Sequence, residues 1–141
     1  RRRHSFPTRR SSDLRARRIR KLLGGGMRQA GLLAAAATYA LDHHIERLAQ
    51  DHANAAELAR GLNTVSGLQA SANTNIVFIN VEAGLTDALL THLKAHHILC
   101  TGRETGTYGG KGLLRMVTHL DVSAADIGTV IAAAQAFKRL V

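Results

Sequence analysis

The sequence predicts a small α/β domain with a mostly antiparallel sheet packed with helices. Three observations carry that expectation. Helical patterns rich in alanine and leucine stand at both ends of the chain. Between them the pattern changes to β-branched and aromatic runs, "NIVFINV" (75–81) and "LLRMVTHL" (113–120). These strand-like runs are themselves split by a helical stretch, an order that suits a sheet covered on one face.

Length and composition agree. The chain has 141 residues, enough for one domain with a sizeable core and too few to leave much room for two. Its 45% hydrophobic content without a long polar tract reads as globular. No apolar run approaches the roughly 20 residues that a membrane span needs. Cys100 is the sole cysteine, which excludes an internal disulfide and fits a reducing, cytoplasmic setting. The basic start is not followed by an apolar stretch, so no signal peptide is read there.

The net charge of +9 suggests nucleic acid until it is located. Residues 1–21 hold ten Arg or Lys against one acid, Asp13, and the rest of the chain is balanced. A basic tail binds nucleic acid nonspecifically, but neither a stacking platform nor a recognition helix accompanies it. Residues 1–14, "RRRHSFPTRRSSDL", combine the only proline with Arg/Ser runs that lack a hydrophobic period. They read as a non-native segment resembling a translated sequencing adapter, or as a disordered basic tail.

The elements then follow in order. Residues 15–23 form a short basic helix that enters the break Gly24–Gly26. Three consecutive glycines make a real interruption, since each costs about 1 kcal/mol against alanine in a helix interior. Residues 29–43 are helical by propensity. A helix over 45–62 sets Ile45, Leu48, Ala55, Leu58, Ala59 and Leu62 on one face, with Gly61 and Asn63 as stop signals. A weak strand near 65–70 precedes the strong one at 75–81. Helix returns over 86–96 with Leu89, Leu90 and Leu93 as its apolar stripe. "HILCT" (97–101) reads as a short strand, 102–112 as a glycine-rich loop and 113–120 as a strand. Ser123 is the N-cap of a final helix that buries Ile127, Val130, Ile131, Ala134 and Phe137. The domain reading is therefore 1–14 tail, 15–44 connecting helices with the glycine break, and 45–141 small α/β domain.

Several constellations invite chemistry and most fail. "GGGMRQ" has Gln29 where a dinucleotide fingerprint needs its third glycine, and no strand precedes it. "GTYGGKG" is one residue short of a P-loop and leads into a strand. His92 and His96 stand one helical turn apart, half a zinc site, but a third ligand is lacking and solvated histidines are the better reading, so no metal is assigned. Neither a Ser/His/Asp nor a Cys/His triad leaves a local signature. Arg28 and Arg115 remain. Arg28 lies where the glycine break meets a helix start, so a guanidinium and backbone N–H groups can converge on one anion. Arg115 is the only charge inside "LLRMVTHL", costly to bury unless a carboxylate pairs with it. A surface salt bridge stands beside each functional reading with equal weight.

At these residues a resemblance enters. "KLLGGGMRQAGLLAAAATYALDHHIERLAQDHANAAELARGL", "TNIVFINV" and "LLRMVTHLDVS" together resemble the C-terminal part of low-specificity L-threonine aldolases, over about residues 15–141. That family consists of pyridoxal-phosphate enzymes of the aspartate-aminotransferase-like fold (fold type I). The resemblance implies that residues 15–44 are the end of the large domain and the connecting helix, and 45–141 the small domain, of such an enzyme, a dimer or tetramer that cleaves L-threonine or L-allo-threonine, β-hydroxy-α-amino acids, to glycine and acetaldehyde. It implies that Lys21 and Arg28 lie near the cofactor phosphate and that Arg115 binds the substrate α-carboxylate. The glycine-rich 101–112 segment is longer than the family's usual pattern. The Schiff-base lysine and the ring-stacking histidine belong upstream of the glycine break. None of the four lysines, Lys21, Lys94, Lys111 and Lys138, suits that role, so no catalytic residue is assigned and the chain reads as a fragment inactive alone. A β-eliminating relative of the same fold type is the alternative within the class, and a basic-tailed binding module the alternative outside it.

Overall fold

The computed structural model describes residues 8–104 and 112–138. The start of the expected tail, most of the expected glycine-rich loop with Lys111, and the last three residues lie outside the described residues. The chain divides into two compact units, residues 1–42 and 43–141.

The first unit is helical. Helix α1 spans Thr8–Leu22 and α2 spans Gly31–His43. α1 begins well before the expected residue 15, although Thr8, Ser11, Ser12 and Asp13 are weak helix formers. It stops at the glycines for a local reason. Gly24 adopts φ +84°, its N–H donates to the Lys21 carbonyl at 3.2 Å, and the Gly25 N–H donates to the Arg20 carbonyl at 2.8 Å. This pair of bonds is a Schellman C-cap, which satisfies two carbonyls that the helix end would otherwise orphan. A Cβ at Gly25 would stand 2.9 Å from that same Arg20 oxygen. α2 has no buried residue; Leu32, Leu33, Tyr39 and Leu41 are exposed.

The second unit holds the core. It runs α3 (Leu48–Leu62), β1 (Leu68–Asn73), β2 (Ile76–Val81), α4 (Thr86–Ala95), β3 (Thr101–Glu104), β4 (Gly112–Val117) and α5 (Ala124–Lys138). The four strands make one sheet in the order β1-β2-β4-β3, and every neighbouring pair is antiparallel. α3 packs on β1 and β2, α4 on β3 and β4, and α5 on both helices. Strand alternation does the rest. Val77, Ile79 and Val81 of β2 and Leu114 and Met116 of β4 point at the helices and are buried. Phe78, Asn80, Arg115 and Val117 point the other way and are exposed. The expected α/β architecture with a small antiparallel sheet is the one observed.

Three local expectations shift. Ile45 precedes α3 in a turn and Leu48 opens the helix; both are exposed. The buried face of α3 instead adds Asp51 and Asn54 to Ala55, Leu58, Ala59 and Leu62. Polar groups can occupy that end because they have partners: Arg47 pairs with the Asp51 carboxylate, and Val122, in the connection after β4, accepts from Asn54. Gly61 lies inside α3, where a Cβ would collide with the Ile131 side chain of α5. It therefore permits close helix packing, and Asn63 is the cap. "HILCT" is not a strand: His97 turns at φ +60°, and β3 begins only at Thr101. Ser123 and the buried Ile127, Ala134 and Phe137 stand as the sequence implies, with Val130 and Ile131 half-buried. Among the described residues, no helix is long and apolar enough to cross a membrane.

Candidate functional site

Arg115 sits at the middle of β4, between the buried Leu114 and Met116. The alternation that buries those two sends Arg115 to the open face, where it is exposed. The side chain is not buried, so the cost of burying an unpaired charge does not arise. Among the described residues none forms a hydrogen bond or ion pair with its side chain. Directly opposite it across the sheet stand Phe78 on β2 and Thr101 on β3. Phe78 remains 40% exposed, so this row offers an apolar wall beside the cation. A shallow depression of about 320 Å³ opens beside Arg115, edged by Leu99, Thr101, Val117 and His119. Exposed guanidinium, hydroxyl and imidazole around an apolar rim suit a small carboxylate better than a metal or a polyanion.

Arg28 and Lys21 belong to the first unit. Lys21 lies in the last turn of α1, and Arg28 follows the glycines in the turn ahead of α2. Both side chains are exposed. The glycines divide into two kinds. Gly24 and Gly25 are required by the cap, whereas a Cβ at Gly26 would meet only Lys21 Cγ at 3.6 Å, an ordinary contact. Packing among the described residues gives no reason for the third glycine. Lys21 and Arg28 are thus exposed cations on either side of a backbone left open at Gly26.

The histidine reading changes in one respect. His92 is only partly exposed; its Nε2 lies 3.0 Å from the Ala133 carbonyl, and its ring packs 5.4 Å from that of Phe137. It joins α4 to α5, leaving only His96 of the pair exposed. No group of three metal-ligating side chains occurs among the described residues. Cys100 is half-buried, and desolvation raises its thiol pKa, which keeps it in the unreactive form.

A polar network beside the core was not legible in the sequence. The Thr118 hydroxyl donates to the Asp51 carbonyl at 2.7 Å, and Asn54 Nδ2 donates to the Val122 carbonyl at 3.1 Å. Asn75 closes it, accepting from the Thr118 N–H at 2.9 Å and donating to the Thr118 carbonyl at 2.9 Å. Asp51 also holds Arg47 through two bonds of 2.7 and 3.2 Å. These contacts fix the segment just after Arg115, so β4 leaves the sheet on a set course. The signal was the "THLDVS" wording itself, whose threonine looks like an ordinary strand residue.

The pattern of the beta-eliminating lyase family matches residues 11–84. The low specificity L-threonine aldolase of Escherichia coli (strain K12) is 40% identical over 123 residues, covering 87% of this chain and 34% of that protein. Low-specificity L-threonine aldolase 1 of Arabidopsis thaliana is 35% identical over 119 residues, 80% of this chain and 32% of that protein. A probable low-specificity L-threonine aldolase 2 of the same plant is 46% identical over 124 residues, 83% and 33% respectively. The chain spans about a third of the length of these curated relatives.

Proposed function

The chain belongs to the beta-eliminating lyase family, and we propose that within it the chain forms the C-terminal part of a pyridoxal-phosphate-dependent aldehyde-lyase. Its substrates are β-hydroxy-α-amino acids such as L-threonine and L-allo-threonine, cleaved to glycine and an aldehyde. One observation carries the reading: a guanidinium without a described partner, Arg115, on the open face of the sheet beside a small depression.

In this reading Arg115 takes the substrate α-carboxylate through two parallel N–H···O bonds. That fork fixes the amino acid's orientation, so the bond to be cut is set by the geometry of the grip. Lys21 and Arg28, with backbone N–H groups near Gly26, hold the cofactor phosphate. Pyridoxal phosphate, when bound, supplies the electron sink for Cα–Cβ cleavage. The lysine that joins the cofactor is assigned to a part of the protein outside this chain: Lys21 serves the phosphate, and Lys94 stands on the exposed side of α4. The chain by itself is expected to turn over nothing. The exposed Leu32, Leu33, Tyr39 and Leu41 of α2 fit a subunit partner, so the working enzyme is read as a homo-oligomer.

The test is made in the complete protein carrying this segment. Arg115→Ala and Arg115→Lys should both lose kcat/KM with threonine, Ala the more, by roughly 30- to 1,000-fold. Cofactor absorbance should persist in both. Near-normal cleavage by Arg115→Ala, or loss of cofactor with unchanged KM, overturns the assignment. Product analysis separates the second reading that the family pattern favours, since β-elimination releases ammonia and yields no glycine.

A further inference from the structure

The free edge of β1 carries a device that the aldehyde-lyase reading does not use. Among the described residues no strand lies beyond β1, and with the Leu68 N–H held by the Val65 carbonyl at 3.2 Å, an added strand would pair from Ala70 onward. Such edges are ordinarily guarded by charge, proline or a bulge. β1, "LQASAN", has no charged residue and no proline, and its register with β2 runs unbroken from Leu68↔Val81 to Asn73↔Ile76. At the other edge β3 has Arg103 and Glu104.

What stands at the β1 edge is one side chain. Asn63, the C-cap of α3, turns its amide onto Ala70. Its Nδ2–H donates to the Ala70 carbonyl at 2.9 Å, and its Oδ1 accepts from the Ala70 N–H at 2.7 Å. A neighbouring strand would use that same donor and acceptor on that same residue. The side-chain amide, chemically a peptide group, thus stands in for one residue of a missing strand. By alternation the next outward pair belongs to Ala72, two residues along.

We propose that Asn63 is an edge lock: it occupies the pairing position on β1 and so keeps the β1 edges of two copies of this chain from joining as an antiparallel pair. The second copy is the occupant of choice because β1 is short, uncharged and flanked by small side chains (Ala70, Ser71, Ala72), so two copies meet without like charges or bulk opposing them.

The test uses the full chain and the variants Asn63→Ala and Asn63→Asp. Hydrogen exchange of the Ala70 amide should be slow in the parent and about tenfold faster or more in dilute Asn63→Ala. Asn63→Asp keeps the acceptor and should retain most of that protection. At high concentration Asn63→Ala should associate beyond the parent by light scattering, with new protection at Ala72. Adding Ser71→Lys, an exposed charge on the edge, should reverse it. Gln135→Ala serves as the matched perturbation: it removes the 3.3 Å bond from Gln135 to Thr64 at the same helix end and should change none of these readings. Equal Ala70 exchange in parent and Asn63→Ala overturns the proposal. So does a folded Asn63→Ala whose association matches the parent at every concentration, or association that appears equally in Gln135→Ala.

Discussion

The two units of the chain are built from similar residues and put them to opposite use. Residues 31–43 and 48–62 are both helices rich in alanine and leucine. α2 buries no residue, whereas α3 buries six, against strands and against α5. Helix propensity is therefore not what stabilises the second unit; a helix of this length is marginal in water without packing. The sheet supplies the packing, because its alternating strands give α3, α4 and α5 one continuous apolar surface. In the first unit the informative features are polar instead: a Schellman cap, a glycine without a packing role, and exposed cations, Lys21 and Arg28 among them. One unit reads as structure and the other as a surface for something else.

The largest expected effect breaks or secures this contrast directly. Leu114 is fully buried at the centre of the sheet and Leu32 is 82% exposed on α2. Leu114→Ala should cost about 2–5 kcal/mol in urea unfolding, from lost burial and the cavity left behind. Leu32→Ala should stay within about 0.5 kcal/mol. A large loss from Leu32→Ala at every protein concentration would end the contrast. A loss that grows with concentration would sharpen it, by marking α2 as an association surface.

A middle-sized effect probes the polar network. Thr118→Val keeps the side-chain shape but leaves the Asp51 carbonyl without its 2.7 Å donor. The second unit should lose about 1–3 kcal/mol by thermal unfolding. A neutral result would mean that the hydroxyl is dispensable and that apolar packing alone holds the end of β4.

How far the sequence told this in advance depends on the kind of signal. The strand at 75–81, the leucine stripe of α4 and the Ser123 cap were legible because period and cap chemistry are local, while the strand expected over 113–120 ends at Val117. Ile45 and Leu48 were misplaced because helical spacing does not say where a helix begins to meet its sheet. "HILCT" misled because its β-branched wording precedes the strand, while His97 takes the turn that delays it. Arg115 was singled out by its odd company, yet its exposure follows only from which face the helices cover. Asn63 was read as a stop, and nothing local could show that its amide meets Ala70 across the helix–strand gap. Partners distant in sequence are what the linear pattern omits.

The smallest effect concerns how helices begin in the two units, and it can be read by pH. α2 starts after Ala30, whose side chain can accept no hydrogen bond. α5 starts with a reciprocal box: the Asp126 N–H donates to Ser123 Oγ at 3.3 Å, while Asp126 Oδ2 accepts from the Ser123 hydroxyl at 2.7 Å and from its N–H at 2.8 Å. Those bonds favour the ionised carboxylate, the hydroxyl first and the backbone N–H second, and they hold the Asp126 pKa below its ordinary 3.8. The folded value is thus the lower one. The unfolded chain binds this proton first as pH falls, so the contribution is fully present above the unfolded value and is lost as pH drops through the folded one. Asp126 is fully exposed, so the effect is small. The difference in Tm between the parent and Asp126→Asn should be constant above about pH 5, where both forms of the chain keep this carboxyl ionised. Below 3.8 it should shrink, and it should level off once the folded carboxyl is protonated. A difference that widens on acidification would mean that the protonated acid, not the carboxylate, is what the Ser123 box prefers.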